Sequence, residues 1–240
     1  MKPAATLVTG GSNGIGAAIA LSRAEQGEAV INLDRDAPSD GARGRWIPVD
    51  LSDETALEDA MRDALAGHDV LKVVNCAGAA LLDPIEDMKS EDFRCSMDLN
   101  VLAPALVVQH CLPAMKERST GRILNIASRA ALGKRLRTAY AGSKGALISA
   151  TRVWALELAC HGITVNAIGP GPIETDLFRK ANPADSPVTR SMRHGIPVGR
   201  FGQPKDVAHA ADMFLDDRAG FVTGQVLYVC GGLTVGVAPV

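Results

Sequence analysis

The 240-residue sequence predicts an α/β fold: a single domain, residues 1–240, built on a doubly wound, mostly parallel seven-stranded sheet with helices on both faces. Three observations lead to it. Short β-rich runs alternate with helical patterns along the chain. Most of those runs are continuously apolar, which suits strands covered on both faces. A glycine-rich turn joins the first strand to the first helix. The β-α-β alternation implies right-handed crossovers.

The strand candidates are "ATLVT" (5–9), "AVINLD" (29–34), "RWIPV" (45–49), "VLKVVN" (70–75), "RILNIAS" (122–128), "ITVNAI" (163–168) and "QVLYV" (225–229). Helices are expected over 14–26, 53–66, 90–116, 139–160 and 204–215. In "SDETALEDAMRDALAG" the apolar residues Leu57, Met61 and Leu65 fall on one helical face. Pro204 stands where a first helical turn tolerates it. The stretch 170–200, rich in Pro, Arg and Ser, reads as irregular and as a lid over a substrate.

The chain is 47% hydrophobic and 22% charged, the balance of a soluble globular protein. With 25 basic and 27 acidic residues the net charge is −2, which gives no electrostatic reason to expect a nucleic-acid or membrane partner. No apolar run reads as a membrane span and the start does not read as a signal peptide. The five cysteines form no C-x-x-C pair and are expected as reduced core or near-core thiols of a cytoplasmic protein. The five histidines show no ligand spacing, so no metal site is expected.

In "VTGGSNGIGAAIA" glycines fall at 10, 11, 14 and 16. Glycine lets a backbone approach a pyrophosphate closely, and a helix N-terminus presents free N–H groups and partial positive charge to it. The second strand ends in Asp34, 18 residues beyond Gly16. A carboxylate there can accept hydrogen bonds from ribose hydroxyls and would repel a 2′-phosphate, which favours NAD over NADP. Arg35 could instead hold that phosphate, and Asp34-Arg35-Asp36 also reads as a solvated turn. Asp50 is a candidate for an adenine amine, while Ser52 and Asp53 read as caps of the next helix. Asn75, Ala77 and Gly78 end the fourth strand with little side-chain bulk beside a ligand, or else make a tight turn.

Tyr140, one of only two tyrosines, precedes Lys144 by four residues, so the two share a helix face. A fixed ammonium near the phenol, with a cationic nicotinamide, is expected to lower its pKa and fit it for proton transfer near neutral pH. Ser128, ending the fifth strand, adds a hydroxyl able to hold a substrate oxygen, although a strand-end serine also reads as a cap.

Taken together, "TGGSNGIG" (9–16), Asp34, "VDL" (49–51), "NCAG" (75–78), "LNV" (99–101), "NIAS" (125–128), "YAGSK" (140–144) and "GPGPIET" (169–175) resemble the short-chain dehydrogenase/reductase family over nearly the whole chain. The resemblance implies a Rossmann fold and a tetrad of Asn100, Ser128, Tyr140 and Lys144. In it Tyr140 is the acid/base, Ser128 orients the carbonyl, Lys144 binds nicotinamide ribose and Asn100 holds a water. It implies a dinucleotide held by Gly10, Ser12, Asn13, Gly14, Ile15, Gly16, Asp34, Arg35, Asp50, Leu51, Asn75, Ala77, Gly78, Tyr140 and Lys144. Pro170, Gly171, Ile173 and Thr175 are implied to seat the nicotinamide. It also implies a homotetramer.

Two departures stand out. The fourth-strand motif usually carries two asparagines and here reads Val74-Asn75-Cys76, and Ser128 and Tyr140 are 12 positions apart where many relatives have 13. The shortened loop holds Arg129, Lys134, Arg135 and Arg137. The expected activity is NAD-dependent interconversion of a secondary alcohol or polyol and a ketone. The alternatives are an NADPH-linked 3-oxoacyl reductase and a non-catalytic dinucleotide sensor. Arg129, Arg179, Arg190 and Arg193 are candidates to meet a substrate anion; the alternative reading is of solvated surface arginines.

Overall fold

The computed structural model describes residues 1–38 and 43–236. Seven strands run β1 (Ala4–Thr9), β2 (Ala29–Asp34), β3 (Arg45–Pro48), β4 (Asp69–Asn75), β5 (Gly121–Ile126), β6 (Ile163–Pro170) and β7 (Val226–Val229). They form one sheet in the order β3-β2-β1-β4-β5-β6-β7. Every neighbouring pair is parallel, so no antiparallel strand interrupts it. The chain crosses from β3 at one edge back to β4 beside β1. That reversal opens a crevice beyond the carboxyl ends of β1 and β4, where a parallel sheet of this kind takes its ligands.

Each strand sends alternate side chains to opposite faces, and each face has its own apolar cluster. Leu7, Ile31, Leu33, Val73 and Ile123 meet Leu57 and Met61 of α2 (Glu54–Ala66) and Val107, Cys111 and Met115 of α4 (Ala103–Arg118). On the other face Val8, Val30, Val74, Leu124 and Ile168 meet Ile19 and Ala20 of α1 (Gly14–Glu25) and Val207, Ala211 and Phe214 of α8 (Pro204–Leu215). Burying a Leu, Ile or Phe side chain stabilises by about 1.5–3 kcal/mol. Two such layers hold the strand ends rigid.

Three elements depart from the sequence expectation. The long helix expected over 90–116 is α3 (Ser90–Met97), one wide π-type turn (Asp98–Leu102) and α4. Its 29 residues, Ser90–Arg118, are long and apolar enough to cross a membrane by length and composition, contrary to the expectation that no run is. Here Val107, Val108, Cys111 and Met115 are spent on the core. The stretch 170–200 is not irregular throughout: it carries α6 (Asp176–Ala181), started by Thr175, whose hydroxyl accepts from the Phe178 amide at 3.2 Å, and α7 (Pro187–His194). The cysteines divide: Cys111 and Cys230 are buried and Cys76 half-buried, whereas Cys95 and Cys160 are exposed, not near-core, and all five are free thiols.

Candidate active site

All the residues expected at the site lie on the segments that follow strand carboxyl ends or on the helices beside them. The turn after β1 is held from below. Asn32 of β2, a polar residue buried within an apolar strand, accepts from the Gly11 amide at 2.8 Å and donates to the Ser12 hydroxyl at 2.9 Å. The chain then enters α1 through Gly16, where a Cβ would stand 2.0 Å from the Gly10 carbonyl oxygen, so only glycine closes this turn. Asn13 occupies the N-cap with extended geometry and makes no side-chain cap bond, leaving the first amides of α1, from Gly14, Ile15 and Gly16, uncapped by it. Orphan donors of this kind at a helix start are a ready anion site.

Asp34 sits at the end of β2 beside that turn. One carboxylate oxygen accepts from the Ser12 amide at 2.9 Å and the other from the Asp36 amide at 3.1 Å. Arg35 turns outward, 75% exposed, with its guanidinium 3.6 Å from Asp36. Asp50 folds back on Ser52, accepting from its amide at 3.0 Å and its hydroxyl at 2.6 Å, and these bonds hold its carboxyl below the usual range. Asp53 caps α2 through the Ala56 amide, as its sequence position suggests. Leu51 is committed by its side chain to the core.

After β4 the Thr9 hydroxyl accepts from the amides of Cys76 and Ala77, at 3.1 and 3.2 Å, and draws the "NCAG" turn against β1. Asn75 donates to Asn125 at 2.8 Å, and Asn125 donates in turn to Thr151 of α5 (Thr138–Leu158) at 2.9 Å. This buried chain of amides ties β4, β5 and the helix carrying Tyr140 and Lys144.

Asn100 lies inside the wide turn and is fully buried. Its amide donates to the Ser143 hydroxyl at 3.0 Å and to the Ala79 carbonyl at 3.3 Å, while its Oδ1 has no partner among the described residues. Gly78 faces that oxygen: a Cβ there would stand 2.6 Å from Asn100 Oδ1 and 3.2 Å from Lys144 Nζ. Lys144, 3% exposed, donates to the Ile126 carbonyl at 2.8 Å. Burial pushes its ammonium down to about 8, opposed by the nearby Cys76.

Tyr140 corrects an expectation. Burial raises its phenol above the ordinary range, outweighing the Ser128 hydrogen bond and the Arg137 charge, which both favour the phenolate. Lys144 spends its ammonium on the strand carbonyl rather than on the phenol. Ser128 lies just beyond β5 and fills the capping role foreseen for it. Its oxygen caps the short 3₁₀ turn Arg129–Leu132 by accepting from Ala130 at 3.1 Å, and its hydroxyl lies near enough to the Tyr140 phenol to favour the phenolate. Cys76, at the position where the motif departs from its relatives, has its thiol pushed up to about 12 by burial. On the far side, Gly171 donates to the Val229 carbonyl at 2.9 Å and Ile173 is bridged to Gly202, which fixes the segment after Pro170. Gly14 packs there against the Thr175 methyl, a Cβ on it falling 3.0 Å away.

The residues present fit a dinucleotide: an uncapped helix start, a carboxylate at the end of β2, and a glycine floor leading to a buried polar cluster. Sequence reasoning missed four supports of this site: Thr9, Asn32, Ser143 and the Asn125–Thr151 pair. The signal for Asn32 and Asn125 was available, a polar residue inside an otherwise apolar strand.

Comparison with known proteins agrees with this geometry. Residues 10–234 match the family model described as Enoyl-(Acyl carrier protein) reductase. The chain is 36% identical over 239 residues to the (2S)-[(R)-hydroxy(phenyl)methyl]succinyl-CoA dehydrogenase subunit BbsD of Thauera aromatica, covering 94% of each chain. It is 35% identical to the NAD-dependent glycerol dehydrogenase of Listeria innocua, covering 95% of this chain and 93% of that one. Among solved structures, a putative NAD(P) dependent gluconate 5-dehydrogenase from Beutenbergia cavernae with bound NADP superposes with a TM-score of 0.89 at 31% identity, covering 98% of this chain and 97% of that one. The ordered motifs, the all-parallel sheet and these relatives together show that the chain belongs to the short-chain dehydrogenase/reductase family, oxidoreductases that act on CH–OH groups with NAD(P).

Proposed function

We propose that this protein is an NAD-dependent oxidoreductase interconverting a secondary alcohol or polyol and a ketone, with Tyr140 as general acid and base. The observation that carries the reading is the cluster at the end of β5, where the Ser128 hydroxyl lies close enough to the Tyr140 phenol to favour its phenolate and a buried Lys144 and Asn100 stand beside Gly78. The glycine turn with Gly10, Ser12, Asn13, Gly14, Ile15 and Gly16 would hold the pyrophosphate, and Asp34 the adenosine ribose. The segment Pro170–Thr175 would flank the nicotinamide. The chemistry the bound nicotinamide supplies is hydride transfer.

The chain's own part is the proton. In reduction Tyr140 donates its hydroxyl proton to the forming alkoxide, and in oxidation it takes the alcohol proton. Ser128 holds the substrate oxygen in line. A phenol raised by burial is protonated at neutral pH, which suits it to reduction. Oxidation then speeds up with rising pH as the phenolate fraction grows. Asn100, through its unpartnered Oδ1, suits a relay between Lys144 and water.

Asp34 supports NAD over NADP, because its carboxylate would repel a 2′-phosphate at short range. Arg35 is exposed and already leans on Asp36. A homotetramer belongs to the same family reading, a cytoplasmic location rests on the unpaired cysteines, and a small-molecule substrate without nucleic-acid or membrane partners accords with the balanced charge. Tyr140→Phe tests the mechanism. Turnover is expected to fall by about 10²–10⁴-fold while NADH binding, followed by fluorescence, persists. Turnover at the wild-type rate would defeat the proposal.

A further inference from the structure

The loop between Ser128 and Tyr140 is the part of the site that the proposed chemistry does not explain. Its nine residues from Arg129 to Arg137 include four cations and no acid, in a chain whose net charge is −2. Three other exposed arginines take a neighbouring carboxylate, Arg62 with Asp59 at 2.6 Å, Arg179 with Asp176 at 3.0 Å and Arg218 with Asp216 at 2.6 Å, while Arg94, Arg152 and Arg190 have no ion pair among the described residues; what sets the loop apart is four cations within nine residues beside Tyr140. Among the described residues, no ion pair or side-chain hydrogen bond engages Arg129, Lys134, Arg135 or Arg137. Partial desolvation lowers the Lys134 ammonium, and the charges of Arg137 and Arg129 lower it further. Arg137 seats its guanidinium 5.8 Å from the centre of the Tyr140 ring. The loop is therefore fixed at the acid/base itself.

Its backbone is also held against preference. Leu136 adopts φ +62°, a left-handed conformation that a leucine rarely takes. Leu132 and Leu136 are 60% and 54% exposed, which gives the loop an apolar face between its charges. Unpaired like charges held together cost energy that a bound anion would return, and guanidinium groups match carboxylate and phosphate oxygens two at a time. Of the lid arginines proposed from sequence, Arg179 is paired with Asp176, Arg193 lies 5.4 Å from the centre of the Phe201 ring, and Arg190 is exposed with no ion pair among the described residues.

Resting on the oxidoreductase reading, we propose that the Arg129–Arg137 loop is an anion-recognition wall, and that the substrate is a hydroxy acid or its keto acid, carrying a carboxylate or phosphate near the reacting carbon. Arg129, Lys134 and Arg137 meet the anion. Leu132 and Leu136 cover the carbon skeleton.

The test uses three matched pairs that differ in the anion: 3-hydroxybutyrate and butane-1,3-diol, gluconate and glucitol, glycerol 3-phosphate and glycerol. Turnover with NAD and binding by calorimetry to the NAD-saturated protein are measured for each. A fourth comparison, 3-hydroxybutyryl-CoA against the pantetheine thioester, separates an acid on the substrate from phosphates on a carrier. In at least one pair the acid is expected to exceed its neutral partner by about tenfold or more in kcat/KM, one charge-assisted contact's worth. That ratio is expected to fall toward one in an Arg129→Gln/Lys134→Gln double variant, and with added salt. Calorimetry keeps the two readings apart. Acids that bind through the loop while neither they nor their neutral partners are turned over count against the oxidoreductase reading and leave the wall standing. Neutral partners that are oxidised as well as or better than every acid overturn the wall and leave the oxidoreductase. A preference for the CoA thioester that vanishes with pantetheine, with no preference for the free acids, also overturns it. So does the failure of every acid to bind more tightly than its neutral partner.

Discussion

Replacing Lys144 by methionine keeps the unbranched stem of the side chain and removes its charge. The wild-type ammonium is 3% exposed, and burial has brought it from 10.5 to about 8. In the unfolded chain the group keeps its ordinary value. Between pH 8 and 10.5 the unfolded state therefore binds more protons than the folded one, and folding stability rises with pH. The cost of burying the charge is fully present below pH 8 and fades as pH rises through that window. At about 1.36 kcal/mol per unit of pKa, it is about 3 kcal/mol at pH 7. Methionine escapes that cost but leaves the Ile126 carbonyl without the donor that stands 2.8 Å from it, a loss of about 1–2 kcal/mol. The variant is thus expected to be more stable than wild type at pH 7 by about 1–2 kcal/mol, a rise of about 2–8 °C in Tm for a chain of this size. The advantage should shrink and change sign near about pH 9.5, where the wild-type amine is neutral and still donates. Catalysis should fall by about 10²-fold or more. Denaturant unfolding of both proteins at pH 7 and pH 10, with turnover at pH 7, makes the measurement. A variant less stable at pH 7, or a stability gap that ignores pH, would refute the reasoning.

Asp34→Ala removes the carboxylate that would face the ribose and the acceptor for the Ser12 amide. The ratio of kcat/KM for NADP to that for NAD is expected to rise by about 10–100-fold, on the scale of one or two charge-assisted bonds lost to NAD; steady-state kinetics with both cofactors checks it. Gly78→Ala places a methyl 2.6 Å from Asn100 Oδ1, in a side chain already pinned by Ser143 and Ala79. Overpacking of this kind costs about 1–3 kcal/mol. Thermal unfolding should register that loss, and kcat should fall more than KM rises because Lys144 Nζ is the next atom displaced.

The sheet was legible because a strand covered on both faces leaves a dense apolar run: "VLKVVN" and "ITVNAI" each sit within two residues of an observed strand. The glycine turn was legible for a steric reason, since few other residues can enter a helix so close to the preceding strand. What escaped was whatever depends on the third dimension. The rise of the Tyr140 phenol comes from burial, which no spacing reveals. Its expected partner was inferred from a shared helix face, but Lys144 is long enough to reach back to β5 instead. The helices of the 170–200 stretch are six and eight residues long, too short for a helical period to stand out beside prolines. The wide turn at Asp98–Leu102 was invisible because a pattern read over four turns averages out one displaced residue.

That wide turn makes the site sensitive to length as well as to the identity of Asn100. Each residue of a helix advances the side-chain direction by about 100°. Deleting one residue from Asp98–Leu102 would let the segment relax into regular helix and swing Asn100 away from Gly78 and Ser143, with both apolar layers of the sheet untouched. Single insertions or deletions here would yield folded chains in which Asn100 no longer meets Gly78 and Ser143, so this short span is constrained in count as well as at Asn100.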